Sequence, residues 1–180
     1  MIVIIEGLDC CGKSTISKKI AEQLNYEYIH ESYTDDIKEK ESRIVKLLER
    51  LISGENYIYD RSTLIDDFVY DFLNETPSTL VYHLEYIRFL LSKCLIFHLE
   101  IDERIRLERF KNRGDEYINN DDIKRIRKNY NQIYSILNNV NHIVLSGDLD
   151  KDNDLLAKEI EYYDKGITHC LKWFTWFNWW

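Results

Sequence analysis

The most specific chemistry in this sequence lies near its amino terminus. Gly7-Leu8-Asp9-Cys10-Cys11-Gly12-Lys13-Ser14 fits the spacing G-x-x-x-x-G-K-[ST]. Each fixed position answers a requirement of phosphate binding. Gly7 and Gly12 let the backbone curl until successive N–H groups face one anion. Lys13 supplies a point charge for the outer phosphates of a nucleoside triphosphate, and the Ser14 hydroxyl is a ligand for Mg²⁺. A helix starting at Lys13 adds its positive end. With Asp9, Cys10, Cys11 and Thr15 completing the loop, these residues predict a site for ATP and Mg²⁺. Cys10 and Cys11 read as small loop residues rather than redox groups.

Two further groups carry charge suited to phosphate. Arg61, in Asp60-Arg61-Ser62, offers a guanidinium that is always charged and forks onto phosphate oxygens. Arg104, Arg106, Arg109, Lys111 and Arg113 form a basic run broken only by Glu108. Arg106, Arg109 and Arg113 fall at i, i+3 and i+7, which predicts one shared helical face. The run ends at Arg113-Gly114-Asp115-Glu116, a helix break. The whole chain is acidic, with Lys+Arg 24 against Asp+Glu 32 and a net charge of −8. Such a surface disfavours a polyanionic partner, so a basic cluster at a Gly-hinged break argues for a lid over phosphates.

The elements that must hold these residues are legible from periodicity. Ile2–Glu6 is a short continuous apolar run, as expected of a strand buried on both faces. Further strands are predicted at Tyr26–His30, Tyr57–Tyr59, Cys94–Ile101 and His142–Leu145. Helices are predicted at Lys13–Leu24, Ile44–Ile52, Leu64–Leu73, Ser78–Leu91, Asp102–Asn112, Asp121–Leu137 and Asp154–Tyr163. Alternating strands and helices imply an α/β fold. With the phosphate loop after the first strand, this reads as a three-layer P-loop NTPase fold, a five-stranded parallel sheet flanked by helices. The 180 residues make one domain, here 1–165 with a lid at about 104–120, followed by an aromatic tail at 166–180. Cys10, Cys11, Cys94 and Cys170 form no CxxC pair, so reduced thiols and a cytoplasmic location are expected. Neither a signal peptide nor a run long enough to span a bilayer is expected. The tail Trp173-Phe174-Thr175-Trp176-Phe177-Asn178-Trp179-Trp180 suggests packing at a subunit interface, and a homodimer is expected.

The stretch Glu6-Gly7-Leu8-Asp9-Cys10-Cys11-Gly12-Lys13-Ser14-Thr15 resembles the E-G-x-D-G-x-G-K-S-T of the thymidylate kinase family, within a larger group that includes the deoxynucleoside kinases. The resemblance implies that Asp9 holds the acceptor's 3′-hydroxyl. Asp60-Arg61 resembles that family's D-R-[YFH], implying that Arg61 binds the acceptor phosphate and that Asp60 sits near Mg²⁺. Ser62 departs from it and is similar to the [ED]-R-S of deoxynucleoside kinases. By that likeness Tyr70 stacks on the acceptor base and Asp66 reads its edge. His30-Glu31-Ser32 lies where these families have R-E-P or E-P, which places Glu31 near the reacting oxygen as a base for a hydroxyl acceptor. The basic run resembles the nucleotide-kinase lid, with Arg109 and Arg113 reaching the transferring group. Arg125-Ile126-Arg127-Lys128-Asn129-Tyr130 fits R-[VI]-R-x-x-Y, and Ser146-Gly147-Asp148 lies where the family holds adenine. No match to the thymine-binding F-x-x-x-R occurs between Ser32 and Asp60, so thymine specificity is not implied; Arg43 is a candidate substitute.

The resemblance implies ATP-dependent phosphorylation of a deoxynucleoside monophosphate. The alternative is a deoxynucleoside kinase acting on a 5′-hydroxyl. A kinase of modified bases in DNA and a non-enzymatic NTP-binding regulator are the remaining readings, the first disfavoured by the net charge and the second by the lid arginines. The partner expected is a small deoxynucleotide or deoxynucleoside, not a nucleic acid.

Overall fold

The computed structural model describes residues 1–70, 84–113, 120–137 and 139–164, with the side chains of 84, 113 and 120 outside that description. The expected helical residues 71–73 and 78–83, the lid tip 114–119 and the tail 166–180 therefore lie outside the described residues.

Five strands are present: β1 (Ile2–Gly7), β2 (Glu27–His30), β3 (Tyr57–Asp60), β4 (Leu95–Ile101) and β5 (Val140–Leu145). Every pairing is parallel, in the order β2-β3-β1-β4-β5. β1 occupies the centre, with Val3 between Ile58 of β3 and Leu95 of β4. All six of its residues are buried, which is why it reads as an unbroken apolar run. Because strand side chains alternate faces, Ile2 and Ile4 enter one core and Val3 and Ile5 the other. Helices α3 (Thr63–Tyr70), α4 (Leu84–Leu91) and α6 (Asn120–Ile136) contribute to the first core; α1 (Lys13–Leu24) and α7 (Leu149–Asp164) contribute to the second. The three-layer α/β arrangement expected from the sequence is present.

Two helices start earlier than their apolar stripes suggested, and in both an aspartate cap is the reason. α2 (Ile37–Ser53) begins after Asp36, whose side chain accepts the Lys38 N–H at 2.9 Å. α7 begins at Leu149 rather than Asp154, because Asp148 accepts the N–H groups of Asp150 (3.2 Å) and Lys151 (3.3 Å). Acidic residues in a first turn also complement the helix dipole, so the stretch Leu149–Asp154 is helix rather than loop. α5 (Glu103–Arg113) follows β4. Among the described residues no helix is long and apolar enough to cross a membrane.

Candidate active site

The loops after β1, β3 and β5 meet at the carboxyl ends of the strands, where parallel α/β sheets bind ligands. They enclose a cleft of about 940 Å³ whose floor is the continuous run Asp9–Ile16. One end is lined by His30, Ser32, Tyr33, Arg61 and Tyr70, the other by Leu145, Gly147, Leu149 and Asp152. Arg109 lines the cleft from α5.

The phosphate loop depends on its glycines. Gly7 has φ +143°, and a Cβ there would lie 2.5 Å from the Leu99 carbonyl oxygen. Gly12 has φ +102° and leads directly into α1. Cys10 also has positive φ, +65°, a region L side chains enter only at a cost. Cys11 is buried in the core under the loop. Lys13 is nearly buried; its Nζ donates to the carbonyls of Gly7 (2.7 Å) and Leu8 (2.9 Å) and lies 4.0 Å from the Asp9 carboxylate.

At the other side of the loop, Arg61 adopts φ +76° and donates its backbone N–H to the Ile5 carbonyl at 3.1 Å. Its guanidinium pairs with Asp9, lies 3.5 Å from Asp66 and donates to the Tyr70 hydroxyl at 3.2 Å. The Tyr70 and Tyr33 rings are 5.9 Å apart. Asp66 is buried rather than exposed. Burial pushes its carboxyl up to about 6, with Arg61 opposing the shift. Asp9, Arg61, Asp66 and Tyr70 thus form one cluster.

Not every expected residue faces the cleft. Glu31 is buried and accepts the Thr63 N–H at 2.7 Å. It caps α3, because the first N–H groups of a helix lack internal partners, and it does not line the cleft. Arg43 is likewise tied down, donating to the Ser32 carbonyl (2.6 Å) and the Thr63 hydroxyl (2.9 Å). The shared arginine face of α5 is split. Arg109 donates to the Cys11 carbonyl at 3.4 Å, over the loop, whereas Arg106 is buried against Glu103 at 2.6 Å and lines a separate cavity of about 180 Å³ with His98, Arg127 and Tyr130. An i, i+3 pair is offset by about 60° around a helix, enough to separate the two once Glu103 holds Arg106. The Arg113 side chain lies outside the described residues.

Beyond α5, Gly147 (φ +88°) donates its N–H to Asp152 at 3.1 Å, and Ser146 donates to the same carboxylate through its N–H (2.7 Å) and hydroxyl (2.8 Å). This fixes a small-residue turn against Leu145 and Leu149, an apolar wall fit for a base.

No family model matches the chain. It is 30% identical over 141 residues to the SPbeta prophage-derived uncharacterized protein YorR of Bacillus subtilis strain 168, covering 74% of this chain and 82% of that protein. The chain belongs to the YorR family. The crystal structure of YorR, in complex with phosphorylated GDP, superposes with a TM-score of 0.67 at 27% identity, covering 92% of this chain and 96% of YorR. Deoxyadenosine kinase from M. mycoides with bound dCTP follows the same fold at TM-score 0.59 and 24% identity, over 89% of this chain and 99% of that one. Candida albicans thymidylate kinase does so at 0.58 and 16%, over 91% and 92%. This YorR-family member therefore has the P-loop kinase fold.

An Mg²⁺ ion is implied by that fold, and two observations fit it. Ser14 is exposed and lines the cleft. Asp60 is wholly buried; its Oδ2 bonds Tyr28 (3.0 Å) and His30 (2.9 Å), while its Oδ1 has no hydrogen-bond partner among the described residues. Among those residues no cluster of three or more His, Cys, Asp or Glu could hold a metal. Sequence reasoning did not assign site roles to His30, Tyr33, Leu145, Leu149 and Asp152, which this member of the YorR family places in the cleft wall. Only the strand-end position of His30 and the Gly147-to-Asp152 spacing carried any signal for them.

Proposed function

We propose that this chain transfers the γ-phosphoryl group of ATP to a deoxynucleoside monophosphate. The observation that carries the reading is the single cleft with the phosphate loop at its middle, an apolar Gly147 wall at one end and Arg61 with Tyr70 and Tyr33 at the other. The donor base lies on Leu145, Gly147 and Leu149. Backbone N–H groups of the loop and Lys13 hold the outer phosphates, Lys13 exchanging its loop carbonyls for phosphate oxygens. Arg61 holds the acceptor phosphate, and Tyr33 and Tyr70 flank its base. An acceptor phosphate oxygen attacks Pγ in line, the bond from Pγ to the bridging oxygen breaks, and ADP leaves; Arg109 meets the charge that develops. Ser14 and Asp60 would hold Mg²⁺, which would supply neutralising charge to the phosphates. That YorR was crystallised with phosphorylated GDP agrees with a nucleotide in this cleft.

A deoxynucleoside acceptor is the second reading. It is favoured by the prior engagement of Arg61 with Asp9 and Asp66, which leaves less positive charge for an acceptor phosphate. Assaying the deoxynucleosides and their monophosphates with ATP, on wild type, Arg61→Ala and Glu31→Gln, separates the two. A monophosphate acceptor predicts that Arg61→Ala costs about 30- to 1000-fold, since a charge-assisted bidentate contact is lost. Fastest turnover of an unphosphorylated nucleoside refutes the first reading.

A further inference from the structure

We propose that Glu6 and Tyr130 are positioning residues that fasten the phosphate loop to the Arg61 turn, keeping donor and acceptor in register. The inference rests on the reading above, in which Lys13 serves the donor and Arg61 the acceptor. Glu6 is completely buried and directly precedes Gly7. One carboxyl oxygen accepts the Ser62 N–H at 2.8 Å, and the other bonds the Tyr130 hydroxyl at 3.2 Å. That hydroxyl also lies 3.4 Å from the Gly7 carbonyl oxygen. A single side chain thus ties the last residues of β1 to the residue after Arg61 and to α6.

The fastening matters because Arg61 stands at φ +76°. A non-glycine residue persists there only where its surroundings over-determine it. Two N–H groups anchor this turn: Arg61 to the Ile5 carbonyl and Ser62 to Glu6. The first partner is backbone and common to any sequence; the second is chosen. Tyr130 is in turn wedged by the His98 ring at 4.8 Å and the Tyr134 ring at 5.4 Å, and the Tyr134 hydroxyl is 2.8 Å from His98 Nδ1. The carboxyl therefore meets a fixed hydroxyl. Burial also raises the Glu6 carboxyl well above the usual range, so a neutral side chain of the same shape can replace it.

The experiment compares Glu6→Gln, Glu6→Leu and Tyr130→Phe with wild type. The acceptor is whichever deoxynucleoside or monophosphate wild type uses fastest, and kcat, both KM values and the melting temperature are measured. Glu6→Gln is expected to stay within about threefold of wild type, because its amide still accepts from Ser62 and donates to Tyr130. Glu6→Leu leaves a buried N–H unpaired and is expected to raise the acceptor KM about tenfold or more, well beyond its effect on the ATP KM. Tyr130→Phe is expected to raise the acceptor KM by about three- to tenfold. A folded Glu6→Leu protein with unchanged acceptor KM overturns the proposal, as does Glu6→Gln proving as harmful as Glu6→Leu. Should Glu6→Leu not fold, an unchanged acceptor KM in Tyr130→Phe overturns it equally. Absence of transfer by wild type to every acceptor sinks the proposed function itself, whereas wild-type transfer with indifferent variants sinks only this inference.

Discussion

Lys13 and Cys10 sit three residues apart and pose opposite questions. Lys13 is held by the carbonyls of Gly7 and Leu8, ready to trade them for phosphate oxygens. Lys13→Ala is expected to lower phosphoryl transfer by roughly 100- to 1000-fold, the scale set by removing one preorganised electrostatic contact, while circular dichroism shows an intact fold. Near-full activity in that variant would refute the phosphate-site reading. Cys10 instead stands at φ +65°, where the resembling E-G-x-D-G pattern has glycine. The left-handed region costs an L residue about 1–2 kcal/mol, and glycine returns about half of that as unfolded-state entropy. Cys10→Gly is therefore expected to stabilise the chain by about 0.5–1 kcal/mol, a rise of a few degrees in melting temperature. A drop would show that the loop's shape depends on the thiol.

At the scale of elements, α5 brings Arg109 from beyond β4 onto the phosphate loop, where it reaches the Cys11 carbonyl. Arg109→Ala is expected to reduce kcat more than it raises the ATP KM, since an arginine that meets charge only in the transition state acts on kcat. A change in KM alone would make it a ground-state binder. The same helix shows where the sequence was informative and where it was not. β1, α1 and the loop between them were legible because a rigid spacing and two periodicities coincide within Ile2–Leu24. Arg61, Asp66 and Tyr70 were legible as a group because they lie within ten residues of chain, on one turn and the helix after it. The fate of Glu31 and Arg106 was not legible. Both are charged side chains whose partners, the Thr63 N–H and Glu103, compete with the cleft, and helical spacing does not say which partner wins. Tyr33 was missed because it follows a strand end with no repeating pattern, and only the fold brings it to Tyr70.

For the molecule as a whole, two buried groups oppose each other as pH changes. Burial lowers His98 from 6.5 to about 4, with His142 adding to the shift. Its contribution is fully present above 6.5 and is lost as pH falls towards 4, because only the unfolded chain takes up the proton. Asp66 moves the other way, from 3.8 to about 6; its contribution is greatest below 3.8 and is lost as pH rises through 6. His98 accounts for about 2 kcal/mol between neutrality and pH 5. Urea unfolding of wild type and His98→Asn at about pH 7.5 and pH 5 checks this: the gap between them should shrink by about that amount at the lower pH, and a constant gap would refute it. The sheet order has a consequence of another kind, for a chain still being made. β1 is synthesised first, yet its neighbours are β3 and β4, reached only at Tyr57 and Leu95. At roughly 5–20 residues per second, it waits on the order of ten seconds for both sides to arrive. Through that interval Ile2–Ile5 is an unpaired apolar strand, a natural target for a chaperone, and a nascent chain stopped short of β4 has no platform for the phosphate loop. The nucleotide site, written first in the sequence, is among the last parts of the protein to form.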